Sequence, residues 1–171
     1  MNKLETGLKV VTYLLPVRLD YSKIAPDSYK AVMQMQNFVN KSTLPKKLLE
    51  LIKIRASQIN KCAYCLDMHA KDAKALGESD QRIYLLNAWR ESPEFYTKKE
   101  QVALAWTEAL TLISESVDRA HILKELKKQF SDKEIVDLTM AIVTINTWNR
   151  LSIGLGADVG SYKPRNHKDR R

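Results

Sequence analysis

The sequence predicts an all-α domain, and three observations carry that prediction. From Pro26 onward, apolar residues recur at the three- and four-residue spacing of a helix face. Helix-start signals of the Ser/Thr-x-x-Glu type stand at Thr97 with Glu100 and at Ser131 with Glu134. Finally, 5 Gly and 5 Pro in 171 residues are too few for a turn-rich β protein, and no apolar/polar alternation suggests a sheet. At 44% hydrophobic and 28% charged residues, the chain has the balance of one globular domain with its own core.

Taken in order, residues 1–20 read as an arm that packs on the body or on a neighbouring subunit. Val10 to Tyr13 favour extended backbone there, and Pro16 interrupts any helix. Residues 21–157 form the helical domain, with about seven helices, and residues 158–171 form a basic tail. The first helix starts near Asp27 and stops near Lys41, with Val32, Met35, Phe38 and Val39 facing inward. Ser42 or Thr43 with Pro45 starts a second, running to about Asn60 on a stripe of Leu48, Leu49, Leu51, Ile52, Ala56 and Ile59. A third begins around the two cysteines and ends at Gly77, which suits the left-handed residue after a helix. Ser79 caps a fourth, which ends before Pro93. The Thr97 box opens a fifth, with Val102, Trp106, Ala109 and Ile113 inward. Asp118 opens a short sixth. The Ser131 box opens a seventh that reaches about Leu151 on Ile135, Leu138, Ile142 and Ile145, with Gly154 and Gly156 closing it.

The net charge of +8 invites a nucleic-acid reading, but its distribution argues otherwise. Residues 161–171 hold Lys163, Arg165, Lys168, Arg170 and Arg171 against one acid, Asp169, so half of the excess sits in the tail. Such a tail can hold phosphate non-specifically, yet no recognition motif accompanies it, so no specific nucleic-acid partner is expected. A solvated tail is the plainer expectation. The apolar stretch Leu8 to Leu19 is broken by Lys9, Pro16 and Arg18 and is too short to cross a bilayer. A C-x-x-C pair suits a reducing compartment, so a cytoplasmic protein without membrane association is expected.

Chemistry concentrates in Lys61 to His69, K-C-A-Y-C-L-D-M-H, which contains the only two cysteines. At 100° per residue, Cys62, Cys65 and His69 fall within about 60° of one another on a helix. Asp72, Ala73 and Leu76 lie in or beside the same sector. A thiolate is the attacking form of cysteine, and a helix N-terminus or a nearby imidazole lowers the thiol pKa. Peroxide attack would leave a sulfenic acid, which the second thiol converts to a disulfide. An external dithiol then restores the pair by exchange. Residues three apart in a regular helix hold their Cβ atoms about 5–6 Å apart, whereas a disulfide wants about 3.5–4.5 Å. Cys62 is therefore expected at or just before the first turn. A structural zinc site needs four protein ligands, and C-x-x-C-x-x-x-H offers three, with His121 and His167 far along the chain. Neither a metal nor a cofactor is expected.

The stretch Glu50 to His69, E-L-I-K-I-R-A-S-Q-I-N-K-C-A-Y-C-L-D-M-H, resembles the alkylhydroperoxidase D-like (AhpD-like) branch of the carboxymuconolactone decarboxylase family. The segments Leu85 to Arg90, Trp106 to Thr111 and Ile145 to Arg150 resemble it too, and together the likeness covers about residues 20–155. This resemblance implies an all-helical subunit assembling as a trimer or a dimer of trimers. It further implies a thiol-dependent peroxidase or disulfide reductase that takes hydroperoxides and is re-reduced by an external dithiol or disulfide reductase. By the same resemblance Cys65 is the peroxidatic thiol, Cys62 resolves it, and Glu50 and His69 belong to a proton relay. Tyr64 departs from the pattern, since better-characterised members carry histidine there. With an ordinary pKa near 10, about three units above neutrality, tyrosine is the poorer base. Two alternatives stand beside this: the family's decarboxylase chemistry on a lactone, which does not depend on a cysteine pair, and a non-catalytic oligomeric thiol redox sensor or binding module.

The residues themselves support these roles unevenly. His69, one turn beyond Cys65, can reach its thiol, whereas the helix dipole favours Cys62. Glu50 falls opposite the main stripe of its helix, where spacing alone makes it a solvated partner of Lys46, Lys47 or Lys53. Arg55 lies inside an apolar stripe and calls for a carboxylate or helix-end partner, or else snorkels to the surface. Asn146 and Asn149 share the core side of the last helix and either line a pocket or make structural hydrogen bonds. Asp72 could orient the imidazole or stand solvated. Trp89, Trp106 and Trp148 are expected to serve core and interface packing.

Overall fold

The computed structural model describes residues 19–164. Among these are eight α-helices and no strand. They are α1 (Tyr21–Ile24), α2 (Pro26–Asn40), α3 (Lys46–Asn60), α4 (Ala63–Ala75), α5 (Asp80–Leu85), α6 (Lys98–Thr111), α7 (Arg119–Leu126) and α8 (Asp132–Leu155), with two 3₁₀ turns between α5 and α6. The expected extended segment, Val10 to Tyr13, lies outside the described residues. One helix more than expected arises because Asp20 accepts the Lys23 N–H and makes a single capped turn, after which Pro26 restarts the chain as α2.

Local chemistry sets most of the boundaries. Ser79 and Asp118 cap α5 and α7 through their side chains, and both capping boxes close reciprocally at the starts of α6 and α8. Gly77 takes φ +81° just past α4. Gly156 takes φ +80° and ends α8 four residues later than expected, leaving Gly154 inside the helix.

α3 is the central element, packed against α4, α6 and α8 at once. It therefore buries more than one stripe: Ile54, outside the expected face, is as enclosed as Leu48 and Ile52, and Glu50 is buried as well. On α2 the reverse holds. Only Val39 is buried, and Phe38, expected inward, is 45% exposed, because Tyr29, Met33 and Gln36 turn toward a cavity. In α6 the buried set is Ala103, Leu104, Thr107, Ala109 and Thr111. Ile113, expected inward, lies past the helix end and is exposed. The tryptophans combine packing with a hydrogen bond each, Trp89 to Glu108, Trp106 to Thr139 and Trp148 to Gln36. No described helix is long and apolar enough to cross a membrane.

The tail departs from a fully solvated reading at its start. Residues 160–162 return to α4, where Lys71 donates to the carbonyls of Gly160 and Tyr162, and Asp67 accepts the Gly160 N–H. Lys163 is exposed, and Arg165, Lys168, Arg170 and Arg171 lie outside the described residues.

Candidate functional site

The site is built at the corner between α3 and α4. Lys61 ends α3 in the left-handed conformation, φ 57° and ψ 38°, and the chain reverses within one residue. Cys62 follows in extended backbone as the N-cap of α4, its N–H bonded to the Ser57 carbonyl at 3.0 Å. Because Cys62 stands outside the helix, its side chain can swing toward Cys65 instead of pointing along the regular face. The two free thiols place their Sγ atoms 2.9 Å apart and share a hydrogen bond. A disulfide bond of about 2.05 Å is thus under 1 Å of movement away.

Three features act on the pair. It sits at the positive end of a 13-residue helix. Ser152 on α8 lies 3.8 Å from Cys65 Sγ, and Asn149 and Ser152 both hydrogen-bond toward the sulfurs in a way that favours thiolate. The contact between the sulfurs dominates: it draws the Cys62 thiol down to about 6 and, with burial, pushes Cys65 up. The pair is best treated as one acid that loses its first proton readily and holds the second. Where the charge resides follows the position of the remaining proton along the 2.9 Å contact.

Access distinguishes the two sulfurs. A cavity of about 630 Å³ opens beside the corner, and Cys65, not Cys62, borders it. Cys65 is nevertheless 0% exposed, so it lies at the cavity floor beneath the side chains above it. Half-buried Tyr64 borders the same cavity and packs against the two cysteines. Aromatic rings of Tyr21, Tyr29 and Trp148 and the thioethers of Met33 and Met68 supply much of the remaining wall.

The cavity that Cys65 borders also receives a buried ion-paired set, Glu50, Lys53 and His69. His69, on α4 one turn past Cys65, borders the same cavity and donates from Nδ1 to Glu50 Oε2 at 2.7 Å. Glu50 Oε1 accepts from Lys53 at 2.9 Å. Burial alone would raise the Glu50 carboxyl, but the His69 hydrogen bond and the Lys53 charge outweigh it and hold it at about 2. The solvated reading of Glu50 is therefore corrected: it is 7% exposed, and its enclosure comes from α4 within the same subunit, without any neighbour. Asp72 is likewise buried instead of solvated, and accepts from the Tyr162 hydroxyl at 2.8 and 3.0 Å.

The other candidates are placed elsewhere. Arg55 finds a carboxylate, Glu108, at 2.8 Å, and also donates to Asn87 and Gln58, away from the cavity lining. Glu108 additionally accepts from Trp89 and Arg90, so this cluster ties α3 to α6 and the turn after α5. Asn146 and Asn149 do not line the cavity and both accept from Asn60 at 2.9 Å, while Asn149 also reaches the sulfurs from the core side. Asn146 also donates to Thr111, and Asn149 to Ser57. Lys53 is one of the expected partners of Glu50, though buried instead of solvated, whereas Ser152 and Tyr162 are not among the residues the sequence singles out. Ser152 stands three residues after Asn149 on one helix face, a spacing that could have flagged it; Tyr162 carries no local signal.

Glu50, His69 and Asp72 bring one donor atom each to within 4.8 Å of one another, a set that could hold a metal ion. In the present arrangement the Lys53 ammonium already neutralises Glu50, and the His69 Nδ1 proton is shared with it.

Comparison with known proteins agrees with this architecture. The profile of the carboxymuconolactone decarboxylase family matches residues 26–109. Uncharacterized protein YdfG of Bacillus subtilis is 41% identical over 139 residues, which is 81% of this chain and 94% of that protein. A crystal structure from Agrobacterium tumefaciens superposes with a TM-score of 0.81 at 43% identity, covering 86% of this chain and 100% of the other. That protein is of unknown function and is named as a candidate antioxidant-defence protein AhpD. An uncharacterized peroxidase-related protein from Silicibacter sp. TM1040 reaches a TM-score of 0.69 at 26% identity, over 80% of this chain and 72% of its own.

Proposed function

Because the chain belongs to the carboxymuconolactone decarboxylase family, on its AhpD-like branch, we propose that it is a thiol-dependent peroxidase and disulfide oxidoreductase acting on organic hydroperoxides. The observation that carries this reading is the thiol pair at the start of α4, with Cys65 on the cavity floor and the Glu50–His69 pair behind it.

Cys65 is the nucleophile and Cys62 the resolving thiol. The Cys65 thiolate attacks the distal peroxide oxygen, the O–O bond breaks, and the alkoxide leaves as alcohol with a proton supplied through His69. The sulfenic acid formed on Cys65 then meets the Cys62 thiol, giving a disulfide and one water. An external dithiol returns two electrons and two protons to the pair and is itself oxidised. Glu50 holds Nδ1 of the imidazole, leaving Nε2 to exchange the proton. A cavity of about 630 Å³ is far larger than hydrogen peroxide requires, and its wall joins aromatic and thioether groups to polar ones such as Gln36, Asn40 and Lys46, which suits an organic group bearing polar atoms. The reducing conditions such a cycle needs fit a cytoplasmic protein. Assembly as a trimer or hexamer belongs to this reading, with exposed Val136, Val143 and Ile153 on α8 as the apolar surface available for it.

The test is consumption of tert-butyl hydroperoxide with a dithiol reductant. Turnover by the wild type and its loss in both Cys65→Ser and Cys62→Ser support the proposal; undiminished turnover in both variants rejects it.

A further inference from the structure

The thiol chemistry makes no use of Tyr162, yet the chain goes to some length to place it. After α8 ends, residues 160–162 cross to α4 and are tied there by three hydrogen bonds. Lys71 Nζ donates to the Gly160 carbonyl at 3.3 Å and the Tyr162 carbonyl at 3.1 Å, and the Gly160 N–H donates to Asp67 at 3.2 Å. Lys71 and Asp67 are themselves paired at 2.8 Å, so the strap is clamped by an ion pair on the outer face of α4. This anchorage delivers one phenol to Asp72. The Tyr162 hydroxyl lies 2.8 Å from one oxygen of Asp72 and 3.0 Å from the other.

Asp72 is the second carboxylate in the cavity wall. It is buried, borders the same space as Cys65 and His69, and brings an oxygen to within 4.8 Å of donor atoms on both Glu50 and His69. A carboxylate so close has two harmful alternatives to its present bond. It can compete with Glu50 for the imidazole, and it can approach Cys65, where a like charge opposes thiolate formation. A phenol that spans both oxygens from outside the cavity restrains the carboxylate against both movements.

We propose that Tyr162, carried by the clamped strap, is a positioning residue of the thiol site, holding the Asp72 carboxylate so that Glu50 remains the partner of His69 and no second negative charge moves against the thiol pair. Its consequence for turnover rests on the thiol-oxidoreductase reading; its effect on the thiols does not. Charged neighbours among the described residues include Lys46, Glu50 and Lys53 from α3, His69 from α4, and the Lys71–Asp67 clamp. From α8 the cavity receives Trp148 and Ser152, which carry no charge. Tyr21, Tyr29 and Tyr64 add only phenols.

A double-mutant cycle at pH 7 tests this on the full chain, with iodoacetamide alkylation of the reduced protein as the first readout. Tyr162→Phe removes the hydroxyl and keeps the ring, and is expected to slow alkylation about tenfold. In an Asp72→Asn background, where the competing side chain is a neutral amide, the same Tyr162→Phe change is expected to alter the rate less than twofold. Lys71→Met, which cuts two of the strap's attachments, should slow alkylation in the same direction by a smaller factor. An unchanged rate in Tyr162→Phe overturns the proposal. So does a tenfold loss that persists in the Asp72→Asn background, since a strap that merely supports the fold would behave that way. Peroxide turnover is measured on the same five proteins. If alkylation follows the expected pattern while the wild type fails to turn over peroxide, the positioning role stands and the peroxidase reading falls.

Discussion

Replacing Glu50 by glutamine tests how strongly the relay is built. The carboxylate is 7% exposed, takes 2.7 and 2.9 Å hydrogen bonds from His69 and Lys53, and is held at about 2 where an ordinary glutamate sits near 4.5. A depression of about two and a half units corresponds to roughly 3 kcal/mol of native-state stability. Since the folded value lies below the unfolded one, this stability is fully present above about pH 4.5 and disappears as the pH falls through about 2. Glutamine keeps the shape but leaves the Lys53 ammonium with a neutral partner. At pH 7 Glu50→Gln should therefore lower the unfolding free energy by about 3 kcal/mol, equivalent to a Tm drop of roughly 6–12 °C for a chain of this size. Urea unfolding followed by tryptophan fluorescence between pH 7 and pH 2 measures the difference between the two proteins directly. That difference should hold steady down to about pH 4.5 and then shrink toward zero near pH 2. A gap independent of pH, or one under about 0.5 kcal/mol at neutrality, would refute the assignment of Glu50 as a buried, ion-paired carboxylate.

Other expectations follow from the same geometry. The rate of iodoacetamide alkylation in the reduced wild type should rise with a midpoint near 6, set by the Cys62–Cys65 contact, and a midpoint above 8 would show that the sulfurs do not share a proton. Tyr64→His supplies an imidazole on the cavity wall and should raise kcat/KM for tert-butyl hydroperoxide by about tenfold or more; an unchanged value would show that the tyrosine's weak basicity limits nothing. Glu108→Gln weakens the shared anchor of Arg55, Trp89 and Arg90 and should cost about 3 kcal/mol in urea unfolding, with alkylation of the distant thiols changed less than twofold. Light scattering should give the mass of a trimer or hexamer, and Val143→Asp on the exposed side of α8 should reduce it to that of one chain.

What was readable in the sequence depended on short separations along the chain. Ser79, Asp118 and both capping boxes act on N–H groups three residues away, so their helices could be located without knowing what they pack against. Cys62, Cys65 and His69 are grouped by helical phase alone, and the need for Cys62 to stand before the first turn followed from the span of a disulfide. Phe38 and Ile113 failed for a matching reason: periodicity selects a face, but it does not say whether that face meets core, cavity or solvent.

The helical class, most helix starts and the thiol–imidazole cluster are thus legible from local pattern, because these depend on interactions within one or two turns. Only the tertiary structure decided which charged groups join that cluster. Glu50 reaches His69 across 19 residues, Ser152 reaches Cys65 across 87, and Tyr162 reaches Asp72 across 90. α3 is enclosed on several sides, so its polar positions are buried by neighbours that no single-helix pattern contains. Whether a carboxylate is solvated or locked into a relay is settled by what the other helices bring against it.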